Sequence, residues 1–248
     1  MNSKPIHPLD IQKEGFRLER TFPRFTIGQR WEHAVLLLCF TVLLLTGLLQ
    51  KYRTTQWSHN ILSTPERLEM IQNIHHIAAI LLTAEAIFHL GKAIYLLSKR
   101  RLSGNMLPSW KDISDALQML RYLLFLSRKK PEFGKFSFEQ KFTYWFLFFT
   151  IGIMITSGFI IWFPITFTRF LPGGIIPAAK LAHSTEAVAA GIFIVVWHFY
   201  HVLVERLNLS IFTGRLSEDE IKIYHTTEYR RLVERQTQVA SPSEGDER

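Results

Sequence analysis

Residues 24–33 read RFTIGQRWEH, and residues 135–144, 111 positions further on, read KFSFEQKFTY. The two stretches agree by type at positions one, two, three, six and seven: basic, aromatic, hydroxyl, glutamine, basic. Each is followed at the same distance by a small hydroxyl residue and a glycine, Thr46-Gly47 in the first case and Ser157-Gly158 in the second. Each also opens a long apolar run. The phrase therefore marks the start of two like-oriented helices, and the chain reads as a duplicated helix pair, the kind of parallel repeat with which membrane proteins build a site between halves.

Four apolar runs stand out along the chain, at residues 34–49, 71–97, 140–163 and 180–204. A helix needs about 20 apolar residues to cross the hydrocarbon core, so these predict spans at about 33–50, 71–97, 140–163 and 180–204. The fold expected is all-α, an integral membrane four-helix bundle in contact with membrane lipid. The first run sits behind some thirty polar and basic residues and lacks a small-residue cleavage site, which makes it a span and not a removable signal. Between the two pairs, residues 112–127 carry acidic residues at their start and an apolar stripe but are too short to span. They predict an amphipathic helix on the cytoplasmic interface. The expected organisation is a cytoplasmic segment 1–30, a transmembrane domain 31–206 and a cytoplasmic tail 207–248, with a charged helix at about 217–236 and a disordered SPSEGDER terminus.

The formal charge of +8 is sorted by position. Lys and Arg number six up to Arg30, ten in the 98–141 connection and seven from Arg206 onward, against three in the 50–71 loop and two in the 163–182 loop. Short loops rich in Lys and Arg stay on the cytoplasmic side. Both termini and the middle connection are therefore expected inside, in a bacterial or archaeal cytoplasmic membrane. The basic residues flank spans, which argues against a nucleic-acid partner. The lone cysteine, Cys39, excludes a disulfide framework, a thiolate metal site and covalent haem attachment.

Seven of the ten histidines lie in or beside the spans. His33 opens the first, His75, His76 and His89 lie on the second, and His183, His198 and His201 on the fourth. His7, His59 and His225 fall in tails or loops, where a solvated ring is the default. Ionisable residues inside a membrane usually face the bundle interior with a functional partner. His75 and His89 are 14 residues apart, about 40° from alignment and about 21 Å along the axis. His183 and His198 are 15 apart, about 60° from alignment and about 22 Å. No single metal ion bridges such distances. Two separate sites between the parallel second and fourth helices do fit, with His75 opposite His183 on the outer side and His89 opposite His198 on the inner side.

Paired neutral imidazoles facing each other across a bundle describe axial ligation of b-type haem, here two haem b groups. Gly47 and Gly158 leave room for a porphyrin edge near the outer ends of the first and third helices. His76 points about 100° away from His75, and the repeat selects His75 because it aligns with His183. Glu85, one turn before His89, suits a carboxylate behind a ligand histidine or a proton relay. Glu186 lies nearer the outer interface. His201 suits a haem propionate or a quinone headgroup. A different reading of the same residues is a proton or metal-ion transporter that uses the intramembrane His and Glu side chains.

Over residues 20–235 the sequence resembles the membrane cytochrome b subunits of formate dehydrogenase and thiosulfate reductase type, within the prokaryotic four-helix cytochrome b group. The resemblance is carried by RFTIGQRWEH with Thr46-Gly47, by His75-His-Ile-Ala-Ala79 with Phe88-His89, by PSWKDISDALQMLRY and KFSFEQKFTYW, and by HSTEA with WHFYH. It implies an electron-transfer subunit of an oxidoreductase complex, not a complete enzyme by itself and with no catalytic residue of its own. It further implies quinone exchange (menaquinone or ubiquinone) near the cytoplasmic haem, and an outer-face iron–sulfur or multihaem cytochrome c subunit as partner. Carried over by position, the haem-iron ligands are His33, His75, His183 and His198, which pairs His33 with His198 for the inner haem. The family has no histidine at the position of His89, whereas the internal repeat favours His89, because His33 aligns with Tyr144. Both remain candidates for the inner ligand, and a third haem stays open. The quinone candidates are Ser137, Gln140 and His201; the family often carries Asn where Ser137 stands.

Overall fold

The computed structural model describes residues 20–205 and 207–240. Five long helices form its frame: α1 (Ile27–Lys51), α2 (Pro65–Ser98), α3 (Trp110–Leu123), α4 (Phe138–Trp162) and α5 (Ile175–Val204). All except α3 are long and apolar enough to cross a membrane. Large apolar side chains point outward, Ile87 68% exposed, Val196 65% and Phe149 62%, while Thr46, Thr150 and Ser157 are buried between helices. Bulky groups outside and small polar groups inside is the arrangement a lipid solvent favours.

The first span starts earlier than the expected 33–50, and the repeated phrase is the reason. Thr26 caps α1: its hydroxyl accepts from Gln29 N at 3.3 Å, and Gln29 Oε1 accepts from Thr26 N at 3.0 Å. Ser137 and Gln140 do the same for α4, at 3.4 and 3.2 Å. Positions three and six of the phrase are thus capping boxes, which satisfy backbone N–H groups that a helix start would otherwise leave unpaired. The second span likewise begins at Pro65, behind the N-cap Thr64, and not at 71.

The pairs α1/α2 and α4/α5 are each closely packed and touch one another much less, mainly through α1 and α5. There Gly191 lets Leu44 approach, since a Cβ would lie 3.0 Å from Leu44 Cδ1. The two halves read from the repeat are therefore two packing units, with space between them.

Helix α3 spans Trp110–Leu123, two residues earlier at its start than expected and shorter at its end. Ser109 and Asp112 form its capping box, and the chain turns out of it at Phe125 with φ 59°. Its polar side is tied to α4 by Lys141 Nζ, which donates to Asp112 Oδ1 at 2.8 Å and Oδ2 at 3.0 Å. Burial raises the Asp112 pKa, but the Lys141 ammonium and the Ser109 N–H lower it more, so the carboxyl titrates below its ordinary range. A depressed carboxyl contributes stability above the unfolded pKa and loses it as pH falls through the folded one. Asp112→Ala is therefore expected to cost about 1–3 kcal/mol in detergent thermal melts at neutral pH. The gap to wild type should close once pH falls below about 4.

The tail is less solvated than a charged helix would be. Strand β1 (Thr21–Pro23) pairs antiparallel with β2 (Arg215–Ser217), Phe22 opposite Leu216. Helices α6 (Glu218–Tyr224) and α7 (Thr226–Ala240) follow, so the single helix expected at 217–236 is broken at His225. Phe22, Leu216 and Ile221 form a small buried core with Tyr229 and Leu232. His225, expected in solvent, is 1% exposed, and its Nδ1 lies 2.8 Å from Gly134 O. Arg230 grips Glu132 through two contacts of 3.0 Å. The N-terminal strand, the middle connection and the tail thus meet at one end of the bundle. Segment 1–19 and the SPSEGDER terminus lie outside the described residues.

Candidate functional site

The second half of the repeat, hydroxyl then glycine, has a direct geometric meaning. Thr46 Oγ1 donates its one proton to Val42 O at 2.7 Å, so towards His75 Nδ1, 2.8 Å away, it is an acceptor. Ser157 Oγ donates to Ile153 O at 2.6 Å and stands 3.0 Å from His183 Nδ1. With the hydroxyl protons on those carbonyls, both histidines carry their proton on Nδ1, which leaves the Nε2 lone pair for another atom. The tautomer of a ligand histidine is set by the hydrogen bond of its other nitrogen.

The glycines make room for the same rings. A Cβ on Gly47 would lie 3.5 Å from His75 Cε1, and one on Gly158 only 3.2 Å from His183 Cε1. At both glycines the nearest group to such a Cβ is the imidazole itself. Each hydroxyl-glycine pair on one helix thus seats a histidine on the next, once in each half.

The two seated rings are neighbours across the halves, with centroids 6.4 Å apart and planes at 68°. Metal–imidazole bonds are about 2 Å, so two rings on opposite sides of one ion stand about 6 Å apart between centroids. The pair fits an iron between them. His76 turns away and stacks on Trp162 at 4.0 Å.

A cavity of about 1420 Å³ runs between the helix pairs from Ile175 and Ala182 at the outer end to the inner end, where His33, Glu85, His89, Tyr144, His198 and His201 line it. His33 Nδ1 is buried and has no hydrogen-bond partner among the described residues. His198 lines the same cavity. A π turn at Ile194–His198 breaks the uniform helical register between His183 and His198. On a uniform α-helix the 15 residues overshoot by about 60°. Absorbing one residue in the π turn removes about 100°, leaving the same 40° offset as in His75–His89.

His89 is placed differently. Its Nδ1 is 2.8 Å from Glu32 Oε2 and its Nε2 is 3.0 Å from Tyr144 Oη. Lys92 Nζ donates to the other Glu32 oxygen. A carboxylate only accepts, so His89 Nδ1 carries the proton and Nε2 accepts from the Tyr144 hydroxyl. Both nitrogens are then engaged. Glu85 completes the group: ligand atoms of Glu32, Glu85 and His89 lie within 4.8 Å of one another.

The remaining candidates are partly committed elsewhere. Gln140 Oε1 accepts from Arg24 Nη2 at 3.2 Å besides capping α4, and Ser137 is 8% exposed. His201 Nδ1 donates to Trp197 O at 2.7 Å, which leaves its Nε2 outward, 4.0 Å from Glu205. Glu186 accepts from Thr150 Oγ1 at 2.7 Å, deeper in the bundle than expected. Sequence reading missed Glu32 and Lys92. The rule that singled out Glu85, an ionisable side chain in an apolar run, applies to Lys92; Glu32 stands just ahead of the first run.

The sequence model that fits this chain is that of the prokaryotic cytochrome b561, over residues 24–214. The chain belongs to that family. Among curated relatives, the cytochrome b556(Fdn) subunit of nitrate-inducible formate dehydrogenase from Escherichia coli K12 is 24% identical over 204 residues, 81% of this chain and 86% of the relative. The cytochrome b556(fdo) subunit of formate dehydrogenase from the same strain is 24% identical over 216 residues, 86% and 93% of the two chains. A cytochrome b561-family chain with four helices long and apolar enough to cross a membrane is a multi-pass prokaryotic membrane cytochrome b of formate dehydrogenase type. It is an electron-transfer subunit, and its cofactor is haem b.

Proposed function

We propose that this cytochrome b561 holds two haem b groups and carries electrons between the quinone pool on the cytoplasmic side and a dehydrogenase partner on the outer face. The outer haem is assigned to His75 and His183, the inner one to His33 and His198. The observation that carries the reading is the first pair: two imidazoles 6.4 Å apart, each fixed as the Nδ1–H tautomer by a hydroxyl on the neighbouring helix. For the inner pair, the support is the unpartnered His33 Nδ1 and the shared cavity with His198. His89 is left out because both its nitrogens are occupied. Haem supplies one-electron chemistry between ferric and ferrous iron.

The partner is proposed to be an iron–sulfur subunit, since the relatives are subunits of formate dehydrogenases and Cys39 alone cannot hold a further relay. The charge distribution supports a cytoplasmic placement of both termini and of α3. Ser137, Gln140 and His201, which line the cavity, are assigned to the neighbourhood of the quinone. The transporter reading draws support from the Glu32–Glu85–His89 group, but Lys92 already supplies a cation there. Purified protein reduced with dithionite should show b-type bands and two haems per chain by pyridine haemochrome. A colourless, folded protein would favour the transporter.

The seats make a finer prediction. An acceptor on the ligand N–H makes the imidazole a stronger donor and favours ferric iron. Thr46→Val removes it at His75, and the outer-haem midpoint potential is expected to rise by up to about 60 mV, the one-electron equivalent of one hydrogen bond; Ser157→Ala should do less, because the Met154 backbone also bonds His183. Potentiometric titration of the α band reads this directly.

A further inference from the structure

Four ionisable side chains and a tyrosine meet on the inner half of the bundle: Glu32 from α1, Glu85, His89 and Lys92 from α2, and Tyr144 from α4. Two observations make them more than a buried ion pair. They are strung in one direction, Tyr144 Oη to His89 Nε2 at 3.0 Å and His89 Nδ1 to Glu32 Oε2 at 2.8 Å, with Lys92 on the far carboxylate oxygen. And Tyr144, His89, Glu85 and Glu32 all line the cavity that holds His33 and His198.

A hydroxyl backed by an imidazole, itself oriented by a carboxylate, is an arrangement that takes a proton from whatever touches the hydroxyl. At the inner end of the cavity Tyr144 shares the lining with Gln140, Ser137 and His201, the residues assigned to the neighbourhood of the quinone. Tyr144 sits one helical turn deeper than Gln140 on α4, so it points along the same wall. Gln140 and Ser137 are already spent in part on the helix cap and on Arg24.

We propose that Tyr144 is the contact residue for the headgroup of a quinol or quinone, and that His89 behind it exchanges the proton. This rests on the two-haem, quinone-linked function proposed above. Oxidation of one quinol breaks two O–H bonds and gives a quinone, two protons and two electrons. The two electrons would leave one at a time to the haem that His33 and His198 would hold. One proton passes to Tyr144 Oη as the tyrosine proton moves to His89 Nε2. The resulting imidazolium is held by Glu32, with Lys92 balancing the charge. The second proton goes to bulk water. Reduction of a quinone runs the same transfers backwards. Tyr144 is the group that touches the substrate; His89 acts through it, and Glu32 positions His89.

The test uses the purified haem-loaded protein, mixed anaerobically with menadiol, with appearance of the ferrous α band followed by stopped flow. Tyr144→Phe removes one oxygen atom and is expected to keep the haem content while lowering the saturating rate by about tenfold or more, with little change in half-saturating menadiol. His89→Gln should lower the same rate and flatten its pH profile, which a purely structural role would leave unmoved. Should Tyr144→Phe disturb haem content, His89→Gln carries the test. Rates within about twofold of wild type in both variants, with Ser137→Ala abolishing reduction, would overturn the proposal and leave the two-haem function standing. A wild-type protein without haem would overturn both.

Discussion

Alanine at either His75 or His183 is expected to lower the haem content from two per chain to one, and in both cases the same, outer haem is lost. In the proposed outer site each ring would supply one of two bonds to a shared iron. A single imidazole does not hold an iron against water in a gap shaped for two, so removing one ligand removes the group. The effects should not add: the double variant should lose no more haem than either single one, because both act on one site. The seats sharpen this result. Enlarging Gly158 to leucine crowds the His183 ring, from which even a Cβ would stand only 3.2 Å. Gly158→Leu should therefore reproduce the His183→Ala spectrum without touching a ligand. Pyridine haemochrome per milligram of protein, with the remaining α band recorded in the reduced state, checks all four variants.

The second large effect separates the two candidates for the inner ligand. His33→Ala should lose the inner haem, whereas His89→Ala should keep both. The internal repeat makes the opposite prediction, since it aligns His33 with Tyr144 and puts His89 in the ligand row. The geometry explains how the repeat is broken. At the position where the first half has His33, the second half has Tyr144, and Tyr144 is the residue that occupies His89 Nε2. The pseudo-symmetric counterpart of the inner ligand pair is thus closed by a direct hydrogen bond of 3.0 Å, which leaves no room for an iron. His89→Ala with one haem lost and His33→Ala with none would reverse the assignment.

Much of this was legible because membrane spans are written in composition. Four apolar runs and the sorting of Lys and Arg predict the bundle with few alternatives. The repeat was legible too, but only in part for its cause. A hydroxyl followed three residues later by glutamine is a helix start by capping rules, yet it sits among basic and aromatic residues that any membrane interface attracts. Thr46-Gly47 and Ser157-Gly158 announce themselves as a pair. Their role does not, because which histidine they seat depends on how α1 meets α2 and α4 meets α5. The π turn before His198 was invisible for a different reason. A uniform helix is the default in any periodicity argument, and the 60° misfit of His183 and His198 was the one trace it left. His225 shows the limit in the tail: a histidine in a polar loop has no local mark of burial, which comes from Gly134, 91 positions away.

The account stands on imidazoles from neighbouring helices meeting at a common iron, and low-temperature EPR of the oxidised protein addresses that most directly. Two distinct low-spin ferric signals of bis-imidazole type, in equal amounts, are predicted, with one of them absent from both His75→Ala and His183→Ala. A spectrum dominated by high-spin ferric haem, or one unchanged by either substitution, would contradict it.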